Sequence, residues 1–150
     1  MNAHEVARRI RTEHIRVQDL ADSIRETTAV LPRADRAAWI AEVRDRFDHF
    51  RAHMVKHMVL EERDGYMSSV LDRRPTLAGE VERLKREHQE IITIMDGIHN
   101  AVHGLAPEDQ LLMHDCAARI ERVLGYVEHH DNEENLMVTY VFTRDLGTND

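Results

Sequence analysis

The sequence predicts an all-α fold, an up-down-up-down antiparallel four-helix bundle. Its composition is 42% hydrophobic but only 5% aromatic, with 6 glycines, which is more typical of helical proteins than of sheet proteins. Apolar residues recur every three or four positions in long segments without strand-like alternation. Short connections between such segments predict antiparallel neighbours. The length of 150 residues predicts one domain, residues 1–150, with a sizeable core.

Three short segments that contain proline separate the predicted helices. They are Val30–Arg33, Arg73–Thr76 and Gly104–Pro107. Proline lacks the N–H that a helix interior needs, and it disfavours the helical conformation in the residue before it. The sequence therefore predicts four helices, which lie before, between and after these breaks.

The first three helices each carry a histidine in an otherwise apolar stripe. In chain order, the stripe positions are Ile10, His14, Val17, Ala21 and Ile24; Ile40, Val43, Phe47, Phe50, Met54, His57 and Glu61; and Leu77, Val81, Leu84, His88, Ile91, Met95, Ile98 and Val102. A buried imidazole or carboxylate is costly without a partner. Because the pattern occurs in three helices, a metal centre is the simplest shared partner.

The fourth helix allows two registers. Its cleaner apolar stripe favours the pair His130 and Glu134. The pair His129 and Glu133 is instead followed directly by a second glutamate, which reproduces the form of the pair on the second helix. We take His129 and Glu133 as the predicted pair and keep His130 and Glu134 as the alternative. The residues of the apolar stripe are Cys116, Ile120, Val123, Val127, His130, Glu134, Met137 and Val141.

Lone histidines and His-x-x-x-Glu pairs alternate along the chain, one element on each helix. His14 precedes His57 by 43 residues, and His88 precedes His129 by 41. Residues four apart lie on the same face of a helix, so each pair presents two ligands from one rigid element. Four imidazoles and two carboxylates facing inward predict a dinuclear metal site.

This ordered set resembles the hemerythrin-like (HHE cation-binding) family over almost the whole chain. The resemblance implies a hemerythrin-like bundle with a non-haem di-iron centre. It also implies that the two glutamates bridge the metals and that the four histidines bind them terminally. The residues that carry the resemblance are His14, His57, Glu61, His88, His129 and Glu133.

The third helix departs from the oxygen-carrying hemerythrins. Those proteins have His-x-x-x-His there, whereas His88 is followed four residues later by Ile92. The chain is more similar to the bacterial subgroup with four histidines and two glutamates, which includes the di-iron domain of iron–sulfur cluster repair proteins. Those repair proteins also carry an N-terminal segment with cysteine, whereas this sequence starts almost directly at its first helix.

The ligand types favour two iron ions. Imidazole suits iron, zinc or copper, and bridging carboxylates favour harder ions such as iron and manganese. An iron–manganese pair and zinc are the alternatives. Six protein ligands and an oxo or hydroxo bridge leave about two positions open on two octahedral metals. Both metals can then take a small ligand such as O₂, NO or peroxide.

The leading functional prediction is a di-iron protein that binds or turns over O₂, NO or peroxide in sensing or stress defence. Peroxidase-like, catalase-like and NO-reducing activities stay open. The alternatives are an iron donor in iron–sulfur cluster repair and a zinc-filled structural or regulatory bundle. Reversible O₂ carriage alone is disfavoured because the fifth histidine is missing. The sequence does not define the oligomeric state.

Several other classes of function are disfavoured. The formal charge of −8 and the lack of a dense Lys/Arg run argue against nucleic acid or an anionic membrane as a partner. No apolar stretch approaches the ~20 residues that span a bilayer, and the N-terminus does not resemble a signal peptide. We therefore expect a cytoplasmic protein. A single cysteine, Cys116, excludes an internal disulfide and an all-thiolate metal site.

Other polar residues near the predicted ligands have more ordinary interpretations. We expect His53 to flank the site rather than to supply a fifth histidine. Tyr66, Tyr126 and Tyr140 are expected to be packing residues, although a phenol beside an open metal position would matter for peroxide chemistry. The glutamates adjacent to predicted ligands are expected to be exposed helix charges, and they are Glu13, Glu62, Glu87, Glu128 and Glu134.

Overall fold

The computed structural model describes residues 2–63 and 65–143. Four long helices are joined by short connections, and a short fifth helix lies between the second and third of them. No strand occurs within the described residues, so the all-α prediction is confirmed. The helices are α1 (Ala3–Thr28), α2 (Arg36–Arg63), α3 (Tyr66–Arg73), α4 (Ala78–His103) and α5 (Gln110–Val138), with a 3₁₀ turn at Pro75–Leu77 and a π-helical turn at Thr139–Thr143.

The long helices form a closed ring of neighbours. α1 packs on α2, α2 on α4, α4 on α5, and α5 on α1. This arrangement confirms the predicted four-helix bundle. Among the described residues, no helix has an apolar stretch long enough to cross a lipid bilayer.

Side chains fix the ends of α1. At its start, the Asn2 side chain accepts a hydrogen bond from the Glu5 backbone N–H, and the Glu5 carboxylate accepts one from the Asn2 backbone N–H, both at 3.0 Å. This reciprocal cap satisfies two N–H groups that the helix itself leaves unpaired. Near its end, the Trp39 indole N–H donates to the Thr27 carbonyl at 2.8 Å and ties α1 to α2.

The second predicted segment is divided into two helices, which the sequence analysis did not predict. Gly65 has φ +98°, a left-handed conformation that other residues rarely adopt. It lies directly before Tyr66, where α3 begins. The prediction of one continuous helix up to the break at residues 73–76 is therefore wrong. The break itself is confirmed, because α3 ends at Arg73 and the 3₁₀ turn begins at Pro75.

The apolar core consists of two clusters separated along the bundle axis. The larger cluster includes Val17, Met54, Ile91 and Val127. The smaller one includes residues from both ends of the chain and from α3, namely Val6, Ile10, Tyr66, Met67, Val70, Val81, Leu84, Met137, Val138, Val141 and Phe142. On α1, α4 and α5, the buried histidines lie between positions of these two clusters, and on α2, His57 and Glu61 lie at the end of the larger cluster. The polar centre is thus enclosed by apolar side chains above and below.

Candidate metal centre

Histidines and acidic residues from all four long helices are buried in one layer of the bundle. Acidic side chains are almost never fully buried unless they are paired or bind a metal, and a buried imidazole also needs a partner. The buried histidines and acidic residues of the described chain are His14, His57, Glu61, His88, His130, Asp131 and Glu134.

The four histidines form two pairs. His14 of α1 lies beside His57 of α2, with ring centroids 5.2 Å apart. His88 of α4 lies beside His130 of α5, with ring centroids 4.7 Å apart. Each long helix therefore supplies one imidazole, and each half of the chain supplies one pair.

Glu61 joins the two histidine pairs from the α2 side. Its Oε1 atom lies 2.6 Å from His57 Nε2 and 3.7 Å from His88 Nε2. The carboxylate thus lies between the two histidine pairs, so it would be available to metals held by either pair.

Glu134 does the same from the α5 side. Its Oε1 atom lies 2.9 Å from His130 Nε2 and 3.6 Å from His14 Nε2. The ligand atoms form two groups, each with all its atoms within 4.8 Å of one another, and Glu134 belongs to both. The groups are His14, His57, Glu61 and Glu134, and His88, His130 and Glu134.

The inward-facing polar atoms have no hydrogen-bond partner. They include Nε2 of all four histidines and both carboxylate oxygens of Glu61 and Glu134. Leaving a buried polar group unpaired costs about 1–3 kcal/mol, and more for a charged group. Cations would satisfy all of these atoms together. The residues present therefore fit two metal ions.

Outside this layer, two of the histidines are hydrogen-bonded through their other ring nitrogen. His130 Nδ1 lies 2.8 Å from Glu87 Oε1, and His14 Nδ1 lies 2.8 Å from Asn135 Oδ1. A hydrogen bond at Nδ1 places the proton on that nitrogen and leaves Nε2 as a ligand that faces inward.

The other two histidines have acidic neighbours at a longer distance. His57 Nδ1 lies 3.7 Å from Glu13 Oε2, and His88 Nδ1 lies 3.8 Å from Glu62 Oε2. The expectation that Glu13, Glu62 and Glu87 are simply exposed helix charges is wrong, since each faces a buried imidazole. Glu128 instead pairs with Arg25 on the outside of the bundle.

A model of the hemerythrin HHE cation-binding domain matches residues 5–141. The chain belongs to this family. The match includes every residue of the two ligand groups and confirms the resemblance derived from the sequence. No curated protein and no solved structure gave a significant match to the chain.

The structure of this hemerythrin HHE domain does not bring His129 and Glu133 into the centre. The His129 side chain is 75% exposed and lies 3.0 Å from Glu133. Glu133 accepts a hydrogen bond from Arg83 at 2.7 Å. Consecutive residues on a helix project about 100° apart, so only one of the two overlapping pairs can face inward. The choice of His129 and Glu133 is corrected to His130 and Glu134, as the apolar stripe of α5 had favoured.

Asp131 is a residue of the HHE centre that the sequence analysis missed. It is buried, and its Oδ1 lies 3.7 Å from His14 Nε2. Burial raises the pKa of Asp131, and the nearby His14, His57 and His130 offset this only in part. No His-x-x-x-Glu spacing marks Asp131, but it lies four residues after Val127 and three before Glu134, both on the buried stripe of α5.

Of the remaining candidates, His53 and Tyr66 lie as expected, with Tyr66 in the smaller apolar cluster, whereas Tyr126 and Tyr140 do not pack in the core. His53 is outside both ligand groups and lies 3.3 Å from Glu13. Tyr126 and Tyr140 are exposed. Tyr66 is buried, and its hydroxyl has no hydrogen-bond partner. Burial, together with the Glu61 charge, raises the pKa of Tyr66 well above its usual range.

Electrostatics favour the metal-binding forms of His88 and Glu61. Burial lowers the pKa of His88 to about 4, so this imidazole is neutral at pH 7. Burial alone would raise the pKa of Glu61, but the close contact with His57 and the nearby His88 outweigh it and lower the pKa. Metal binding requires neutral imidazoles and ionised carboxylates.

Among the described residues, three openings border the HHE centre, and one of them lies beside Glu87 and His130. A small cavity of about 30 Å³ lies beside His57 and Glu61, and its walls include Val6, Ile10 and Tyr66. Another open pocket, between α1 and α5, reaches the centre from the surface. The residues that line this pocket are Arg11, His14, Ile15, Gln18, Glu128, Asp131, Asn132 and Asn135.

Proposed function

We propose that this protein is a non-haem di-iron protein that binds or turns over O₂, NO or peroxide. The observation that carries the proposal is the pairing of the histidines and the position of two carboxylates between the pairs, with unpaired atoms facing inward. The proposed ligands are His14, His57, Glu61, His88, His130 and Glu134.

The donor set supports iron over zinc. Structural zinc is bound by four ligands, often cysteines, whereas this centre offers six ligands, and Cys116 lies in the apolar core. Imidazoles with two shared carboxylates suit iron or an iron–manganese pair. When bound, two irons supply redox electrons and open positions for a small ligand.

The small cavity beside Glu61 favours a ligand of very few atoms. At about 30 Å³, it holds one or two molecules the size of water. Its walls combine apolar side chains with Arg9 and Glu13, and the Tyr66 hydroxyl has no hydrogen-bond partner. Since the pKa of Tyr66 is raised, the hydroxyl stays protonated. Tyr66 can therefore donate a hydrogen bond to a ligand beside Glu61.

Metal content and the ultraviolet–visible spectrum test the di-iron assignment. We expect two irons per chain and near-ultraviolet charge-transfer bands that bleach on reduction. Consumption of peroxide and of NO is then measured with the same preparation. If the chain holds zinc or no metal after anaerobic reconstitution with ferrous iron, the assignment is wrong.

Tyr66→Phe tests whether the cavity is the reaction site. The variant should keep both irons but consume peroxide roughly tenfold more slowly, because a positioned proton donor commonly contributes a factor of this size or more. Tyr126→Phe is the matched control, since Tyr126 is exposed. Equal rates in both variants would place the reaction elsewhere.

An iron donor is the second candidate, and the open pocket beside His14 and Asp131 favours it. A donor must release metal to an acceptor, and this pocket gives an acceptor access to the centre. Release of iron to a ferrous chelator separates the two candidates. A donor should lose iron within minutes, whereas a centre for turnover should retain it for hours.

A further inference from the structure

A second group of metal-type ligands lies at the surface between α2 and α4. Asp48 Oδ1 lies 3.0 Å from both His99 Nδ1 and His103 Nε2, and Asp48 Oδ2 lies 2.9 Å from His103 Nε2. The two rings lie side by side, with centroids 4.3 Å apart. The ligand atoms of all three residues lie within 4.8 Å of one another.

This group is separate from the buried centre. His99 follows His88 by 11 residues on α4, which corresponds to about 16 Å along a helix. Buried apolar residues, including Met95 and Ile98, fill the bundle between the two levels. No residue of the group belongs to either ligand group of the buried centre.

We propose that Asp48, His99 and His103 form a second, surface site that binds a divalent cation of the imidazole-preferring class, with Zn²⁺ as the probe. Two histidines four residues apart on one rigid helix present their nitrogens to the same point. The carboxylate from α2 meets them there. Three protein ligands with room for water are the donor number of an exchangeable zinc site, and the side chains are partly exposed.

Two nearby arginines are paired with other groups, which leaves the Asp48 carboxylate to the imidazoles. His103 is the last residue of α4, and the partial negative charge of that helix end is already met by Arg44. The nearby Arg44 donates to the carbonyls of Val102, His103 and Leu105, while Arg51 donates to Asp96. Both guanidinium groups therefore have partners other than Asp48, and the carboxylate remains directed at the two imidazoles.

Zinc titration of the full chain, loaded with iron and freed of unbound metal, tests the site. Competition with a chromophoric zinc indicator should reveal one zinc per chain that Asp48→Asn and His103→Ala each weaken by at least tenfold. His49→Ala is the matched control, because its exposed side chain is adjacent to Asp48 but outside the group. The difference between wild type and His103→Ala measures this site whatever metal fills the buried centre.

A thermal shift provides a second measurement. Zinc should raise the melting temperature of the wild type and of His49→Ala but not of Asp48→Asn, since only a ligand that binds the folded state stabilises it. Identical zinc binding in wild type and His103→Ala would overturn the proposal. An equal loss in His49→Ala would do the same, because it would indicate nonspecific surface binding.

Discussion

The two overlapping His-x-x-x-Glu pairs of α5 are only one residue apart in the sequence, but one pair is buried and the histidine of the other is exposed. His130 and Glu134 lie 2.9 Å apart with side chains 3% and 0% exposed. His129 and Glu133 lie 3.0 Å apart, and the His129 side chain is 75% exposed. The spacing alone makes both pairs meet. The apolar stripe determines which pair is buried in the core. Only the buried pair belongs to the candidate ligand groups.

The largest expected difference between the pairs is in metal binding. His130→Ala should remove at least one iron per chain, because an inward-facing ligand is lost. His129→Ala should retain two, since this side chain lies at the surface. Iron is measured per folded chain after anaerobic reconstitution. Loss of iron in His129→Ala with retention in His130→Ala would restore the outer pair as ligands.

The metal-free protein should lose stability as the pH falls from 6.5 to 4. His88 has a folded pKa of about 4 and an unfolded value near 6.5, so in this range the unfolded state binds more protons. The contribution of neutral His88 to the free energy of unfolding is fully present above pH 6.5. It is lost as the pH falls through this range, by about 3 kcal/mol in total. Urea unfolding at several pH values measures it.

Two variants sharpen the pH comparison. His88→Met should remove much of the slope, whereas His129→Ala should keep it. If His129→Ala flattens the slope as much as His88→Met does, the burial of His88 is not the cause.

Neutralising the inner glutamate of α5, Glu134, and the outer one, Glu133, should change the free energy of unfolding of the metal-free protein in opposite directions. Glu134→Gln should raise the free energy of unfolding by roughly 1–3 kcal/mol, because it removes a buried charge without a hydrogen-bond partner. Urea midpoints measure the change. A lower midpoint for Glu134→Gln would mean that the carboxylate is stabilised within the metal-free bundle.

Glu87→Gln tests the contact that supports His130 from outside. A neutral amide cannot polarise the imidazole as a carboxylate does, so iron affinity should fall by about 10- to 100-fold. Glu90→Gln, an exposed position on the same helix, is the control. Competition with a ferrous chelator gives both affinities, and unchanged affinity in Glu87→Gln would show that the contact has no role in metal binding.

The smallest effect is expected at the outer pair itself. Glu133→Gln loses the ion pair with Arg83, whose hydrogen bond lowers the pKa of Glu133. Exposed ion pairs contribute about 0–1 kcal/mol, so the urea midpoint should fall only slightly. A loss larger than that of a buried ligand variant would contradict the division of α5 into an inner and an outer face.

The fold was predictable from the sequence because local signals determine it. Proline-containing breaks and a sustained 3.6-residue period defined the long helices. The short helix α3 was missed although Gly65, in a positive-φ conformation, follows an aspartate in a turn-like pair. His129 and Glu133 fit the motif spacing as well as His130 and Glu134 do, and the apolar stripe of α5 is the signal that distinguishes the two pairs.

The outer contacts of the histidines could not be predicted from sequence spacing. Each contact comes from a different helix than the histidine that it faces. Glu13 of α1 faces His57 of α2, and Glu62 of α2 faces a histidine of α4. Glu87 of α4 likewise faces the histidine of α5, and Asn135 of α5 faces the histidine of α1. Only the packing of neighbouring helices brings these side chains together.

Asp131 breaks the near-symmetry between the two halves of the chain. The residue after His130 is Asp131, whereas the residue after His57 is Met58, and Asp131 lies 3.7 Å from His14 Nε2. With two irons bound, the ion held by His14 and His57 would therefore experience an additional nearby carboxylate. The centre would therefore hold its two metals in chemically unequal surroundings, with Asp131 on the side of His14 and His57.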